Sequence, residues 1–130
     1  MRFVDTSFWV AVTTRGDAHH AQAAELVRRR QTLVTSNHVL GETWTFIRRR
    51  HGSAGAVRSL DLIQQLSKLT IVHAEAAVET EAWRWLRHHD EREYSFVDAT
   101  SFMLMRSLRI RDALAFDGDF TAAGFVELRA

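Results

Sequence analysis

Three observations predict an α/β fold, a single domain with one parallel sheet of about four to five strands flanked by helices on both faces. Apolar segments of strand length alternate with segments of helical period along the chain, and strands that alternate with helices pair in parallel through right-handed crossovers. The length, 130 residues with 46% hydrophobic, is that of one domain able to bury a sizeable core without staples. With no proline in the chain, helix ends are set by glycines and polar caps alone.

The elements follow in order. Residues 2–4 read as the first strand, and Asp5 leads into a short helix over 7–13. Asp17, a favourable N-cap, precedes a helix over 19–30. The second strand is 33–35; Ser36 and Asn37 then introduce a helix over 39–50, and Gly52 and Ser53 a further one over 54–66. After a third strand at 69–72 come helices over 74–88 and 96–108. The run Phe102-Met103-Leu104-Met105 makes the latter apolar on nearly every side, hence buried. A fourth strand at 113–116 ends in the turn signal Asp117-Gly118, and 126–128 is a last strand. No repeat, linker or low-complexity stretch divides the chain, so residues 1–130 form one domain.

Composition narrows the function. Lys+Arg 17 against Asp+Glu 16 gives a net charge of +1, so no global field favours nucleic acid or a membrane, and any such partner is attracted locally. Only Lys68 is lysine; arginine's planar fork suits phosphate and carboxylate. Zero cysteines exclude disulfides, thiol catalysis and thiolate metal sites, and fit a reducing compartment. With an acid at position 5 and no apolar run of about 18 residues, the chain reads as cytoplasmic, with no membrane partner.

In open parallel sheets chemistry gathers beyond the carboxyl ends of the strands, and acids recur there. Asp5 follows the first strand, where an N-cap role is the structural alternative. Glu42 flanks the apolar stripe of its helix: with Val39 at zero it lies near about −60° and Phe46 near about −20°. Arg49, near about −80° on the same wheel, would make a surface pair with it. Asp98 completes an S-x-x-D capping box with Ser95. Asp117 and Asp119 flank a D-G turn. Caps and turns account for each acid singly, but not for their convergence on one sheet edge. Several carboxylates that close need cations, and hard oxygen ligands suit Mg²⁺ or Mn²⁺. Such a centre meets the needs of phosphodiester hydrolysis.

These residues resemble a known family. Val4-Asp5-Thr6-Ser7, Ser36-Asn37-His38-Val39-Leu40-Gly41-Glu42-Thr43, Phe96-Val97-Asp98-Ala99 and Ala115-Phe116-Asp117-Gly118-Asp119-Phe120 with Gly124-Phe125 look like the PIN-domain ribonucleases, specifically VapC toxins of prokaryotic toxin–antitoxin pairs. The resemblance spans essentially the whole chain. It implies a metal-dependent endoribonuclease with Asp5, Glu42, Asp98 and Asp117 as the acidic cluster, Asp119 as an auxiliary acid, and Thr6 and Ser7 as matching hydroxyls. It also implies a homodimer held inactive by a VapB-type antitoxin whose tail enters the acidic groove. One departure is Ala115, where many relatives carry threonine.

The remaining features have simpler readings. Arg28-Arg29-Arg30 and Arg48-Arg49-Arg50 end helices, where cations complement the macrodipole, and at least one cluster is expected to help recruit RNA. His19-His20 and His88-His89 lack the spacing of a zinc helix and read as surface or cap residues. Of Trp83 and Trp85, one belongs to the core and the other to a contact surface. Asp90-Glu91-Arg92-Glu93 reads as a solvated loop. Among rival classes, a receiver-like domain lacks a lysine near the last strands, and a haloacid-dehalogenase-like phosphatase lacks an acid at position 7. A catalytically inactive PIN-like module that binds RNA or protein stays as the alternative.

Overall fold

The sheet is laid out from its middle. Strand β1 (Arg2–Val4) pairs with β2 (Leu33–Ser36) on one side and with β4 (Asp112–Leu114) on the other, while β3 (Leu69–Val72) and β5 (Val126–Glu127) form the edges. The order is β3-β2-β1-β4-β5, every pair parallel, with Phe3 opposite both Val34 and Ala113. The chain steps outward from β1 in one direction and then returns to its other side, which opens a crevice beyond the β1 carboxyl end. This computed structural model describes residues 1–128.

Six helices flank the sheet: α1 (Thr6–Thr13), α2 (His20–Arg28), α3 (Asn37–Gln64), α4 (Ala76–Arg87), α5 (Phe96–Ser107) and α6 (Asp119–Ala122). Helix α1 packs on α2 and α3, and α5 packs on α4 and α3. The core joins Phe3, Val4 and Leu114 of the central strands to Phe8 and Trp9 of α1 and Phe102 of α5. As its composition requires, α5 is buried continuously from Asp98 to Met105. The Trp9 indole N–H donates to the Thr35 hydroxyl, which donates to the Val4 carbonyl, so this polar pair is satisfied inside the core. Trp85 is buried and Trp83 is 53% exposed, so Trp85 is the expected core member of the pair.

Several boundaries differ from the sequence expectation. Strand β4 stops at Leu114, because the next amides leave the ladder and the Phe116 N–H goes instead to the Ser7 hydroxyl. The last strand closes at Glu127. The two helices expected over 39–50 and 54–66 are both present, as two arms of the span α3 that meet at the non-helical Gly52 (φ 77°, ψ 178°), so Arg48-Arg49-Arg50 close the first arm just before the break. Helix α2 starts at His20 with His19 as its N-cap; Asp17 is not that cap, and its side chain accepts from the His19 N–H. Helix α4 begins at Ala76 rather than at residue 74. The short helix α6 was not expected, since four residues carry no period.

Candidate active site

The β1 exit sets the first acid. Asp5 caps α1, its Oδ2 accepting from the Ser7 N–H at 3.3 Å and from the Ser7 hydroxyl at 3.0 Å. Ser7 Oγ accepts in turn from the Phe116 N–H at 3.0 Å, which ties the exit of β1 to that of β4. The second oxygen of Asp5, Oδ1, is buried and has no hydrogen-bond partner. Asp98 stands at the third position of α5 in a complete capping box: its Oδ2 accepts from the Ser95 N–H at 2.9 Å, and its own N–H donates to Ser95 Oγ at 2.9 Å.

The Asp117-Gly118-Asp119 turn is held from three sides. Asp117 Oδ1 accepts from the Asp119 N–H, and Gly118 is left-handed at φ 82°. The Glu127 carboxylate accepts from the Gly118 and Thr121 N–H groups. Arg92 donates through Nε to Asp119 Oδ1 at 2.8 Å and through Nη2 to the Asp117 carbonyl at 3.2 Å.

These elements meet at one cleft of about 470 Å³, lined by Asp5, Glu42, Asp98 and Asp117 together with Thr6 and Ser7. Asp98, Asp117 and Asp119 each offer a carboxylate oxygen, all within 4.8 Å of one another, and so could hold a metal ion together. Asp119 is turned toward Arg92 and does not line the cleft wall; Asp5 and Glu42 line the wall but stand outside that close triad. Glu42 makes no ion pair among the described residues, so the pairing with Arg49 is not formed; both instead line a neighbouring groove. Thr6 donates to the Val39 carbonyl, a bond that joins α1 to α3.

Electrostatics follow from this crowding. Burial, with the charges of Asp117 and Asp98, holds the Asp5 carboxyl well above the carboxylate range despite the Ser7 bonds that oppose it. Burial also raises Asp98 to about 6, against the lowering effect of the Ser95 amide and with further repulsion from Asp119 and Asp117. Asp117 is solvent-accessible as a residue, yet its carboxyl is shielded by the cleft walls; this desolvation raises it, and Asp119 and Glu127 add to the shift. A desolvated acid with an unpartnered oxygen beside two more raised carboxyls is the donor set that a hard divalent cation relieves, so the residues present fit such an ion.

The comparisons settle the relationship. A family model described as PIN domain matches residues 2–126. The chain belongs to the PIN-domain family. This PIN domain is 55% identical to the 23S rRNA-specific endonuclease VapC20 of Mycobacterium tuberculosis over 99% of its own length and 98% of that protein's. A crystal structure of M. tuberculosis VapC20, described as a sarcin-ricin loop cleaving toxin, superimposes with a TM-score of 0.93 at 52% identity, covering 100% of both chains. VapBC2 from Rickettsia felis, bound to a DNA fragment from its promoter, matches with a TM-score of 0.70 at 16% identity over 98% of this chain and 96% of that one, a likeness of fold.

Two supports of this PIN domain escaped the sequence reading. Arg92 sits in a charge run that reads as solvated loop, but its guanidinium fixes the last turn. Glu127 falls in an edge strand with no motif around it. The only available signal was complementarity, since a turn rich in acids and free amides needs both a cation and an acceptor nearby.

Proposed function

We propose that this PIN domain is an endoribonuclease that hydrolyses RNA phosphodiester bonds as the toxin of a toxin–antitoxin pair, using Mg²⁺ or Mn²⁺ held by Asp5, Glu42, Asp98 and Asp117, with Asp119 as an auxiliary acid. The observation that carries the reading is the convergence of acids from separate elements on one cleft, with the buried Asp5 Oδ1 left without a partner. When bound, a divalent ion supplies an acidified water and stabilises charge on the attacking and leaving oxygens. The chain's own part is to position and neutralise. Ser7 orients the Asp5 carboxylate, the capping box fixes Asp98, and Arg92 fixes the Asp119 carboxylate within reach of Asp98 and Asp117. The relative named as 23S rRNA-specific, identical at 55% of positions, supports a ribosomal RNA loop as substrate.

The same reading includes a VapB-type antitoxin, a homodimer and a cytoplasmic setting; no helix among the described residues is long and apolar enough to cross a membrane. An inhibitor that enters the acidic cleft presents an arginine, whose fork bridges two carboxylates. The catalytically inactive module is the lesser reading, because every acid of the motif set is in place. Asp5→Asn or Asp98→Asn is expected to abolish divalent-dependent cleavage of ribosomal RNA while circular dichroism stays native, since an amide is a poorer ligand of similar volume. Full cleavage by either folded variant removes that residue from the site.

A further inference from the structure

The carboxylate cleft has one wall that hydrolysis itself does not use. Beside Asp5, Asp98 and Asp117 it is lined by His19 and Phe116. The two rings lie almost parallel, centroids 4.4 Å apart with an interplanar angle of 5°. Phe116 is stacked in turn with Phe8 at 5.8 Å and 14°. Phe8 is fully buried, Phe116 half-buried and His19 exposed, so the rings step from the core to the surface beside the acids.

The outermost ring is anchored on both sides in sequence. The His19 N–H donates to Asp17 Oδ1 at 2.8 Å, and the next side chain, His20, bonds through Nδ1 to the Ala11 carbonyl at 2.8 Å. Phe116 is fixed by its own N–H on Ser7 Oγ, the hydroxyl that also orients Asp5. With one face of His19 on Phe116 and the residue exposed, the other face is open. The inner face of the imidazole covers Phe116, while the exposed outer face covers nothing.

A flat, preorganised ring face next to a phosphodiester-cleaving centre has one natural occupant. Proteins that act on single-stranded RNA stack unpaired bases on aromatic or histidine rings, and such stacking tolerates any base because every base has a π-face. We propose that the open face of His19 is the stacking platform for an unpaired nucleobase flanking the scissile phosphate, with Phe116 and Phe8 as its rigid backing. His19 is thus a substrate-positioning residue. Its contribution lies in binding, through ring area and fixed orientation. This rests on the endoribonuclease reading, which it deepens by giving the substrate a contact beyond its phosphate.

The test uses a hairpin RNA with an unpaired loop, carrying 2-aminopurine at one loop position at a time, mixed with the full chain in Ca²⁺, with intact RNA verified by gel. The expected result is fluorescence quenching at a position next to the cleavage point. His19→Ala loses that quenching and raises Kd, and KM in Mg²⁺, on the order of tenfold, with kcat within about twofold and Tm unchanged. His19→Phe retains quenching and affinity, since the ring face is what matters. Quenching and affinity preserved in His19→Ala overturn the proposal; so does a loss in His19→Phe as large as in His19→Ala, which would assign the effect to the imidazole nitrogens. The underlying reading fails separately: wild-type chain that quenches but never cleaves refutes the ribonuclease and leaves the platform standing. Chain that cleaves with no quenching at any position refutes the platform alone.

Discussion

Asp98 carries two duties that a single carboxyl rarely combines, closing a capping box and facing a cluster of like charges. Its raised value of about 6 makes a pH prediction with a definite sign. Between the ordinary value near ~3.9 and about 6, the folded metal-free chain keeps a proton that the unfolded chain releases, so stability is greatest at the acid end and falls as pH rises through this window. The loss is on the order of 3 kcal/mol, opposite in sign to that of a salt-bridged aspartate. In chelator, Tm at pH 5 is expected to exceed Tm at pH 7, and Asp98→Asn should shrink the difference; an unshrunk difference would place the titration elsewhere. Arg92 offers a second check. Arg92→Gln withdraws the cation beside Asp119, so metal-free Tm should drop while the Tm gain on adding Mn²⁺ grows; an unchanged gain would reduce Arg92 to a surface pair. At this scale the acids that line the cleft were legible in two ways, Asp5, Asp98 and Asp117 from signals near element ends and Glu42 from the flank of an apolar stripe. Their supports were not: Arg92 meets Asp119, and Glu127 meets Gly118, only after the strands are in register.

Among the elements, two of the three glycines at positive φ, Gly52 and Gly118, separate backbone strain from site damage. Gly52 bends α3 at φ 77° with open space around a would-be Cβ, whereas at Gly118, φ 82°, that atom would stand 3.4 Å from the Arg92 guanidinium. Alanine costs about 1–2 kcal/mol at the left-handed Gly118 and about 1–3 kcal/mol at Gly52, whose φ 77°, ψ 178° is essentially reserved for glycine. Thermal unfolding should register at least as large a loss for Gly52→Ala as for Gly118→Ala, while RNA cleavage should fall only in the latter. Equal cleavage in both would separate the last turn from activity. The strand cores and most helices were readable because apolar runs and caps agree over many residues. Elements failed to read where a side chain diverted the backbone, as Ser7 does at Phe116, or where length was too small for a period, as in α6. In α3 the break at Gly52 was legible, since Gly52-Ser53 interrupts the helical period where the backbone leaves helical geometry.

On the scale of the whole molecule, near-neutral charge and an acidic cleft imply that positive charge lies outside the cleft, and Arg49 and Arg50 line the groove adjoining it through Glu42 and Phe46. An inhibitory tail carrying arginine should therefore seat in the cleft. Pull-down of the product of the neighbouring gene is expected to weaken sharply when Glu42→Gln and Asp98→Asn are combined; retention would move inhibition to another surface. The strand order has a further consequence, in time rather than in space. Asp5 is made well before residues 112–119, which supply the partner strand β4 and the acids at 117 and 119. Until residues 112–119 leave the ribosome, β1 has one open edge and the acids no closing wall. A growing chain therefore holds no assembled centre, and a prematurely stopped one never acquires it. For an endoribonuclease, this order of strands would keep each new copy inert until its last acids are made.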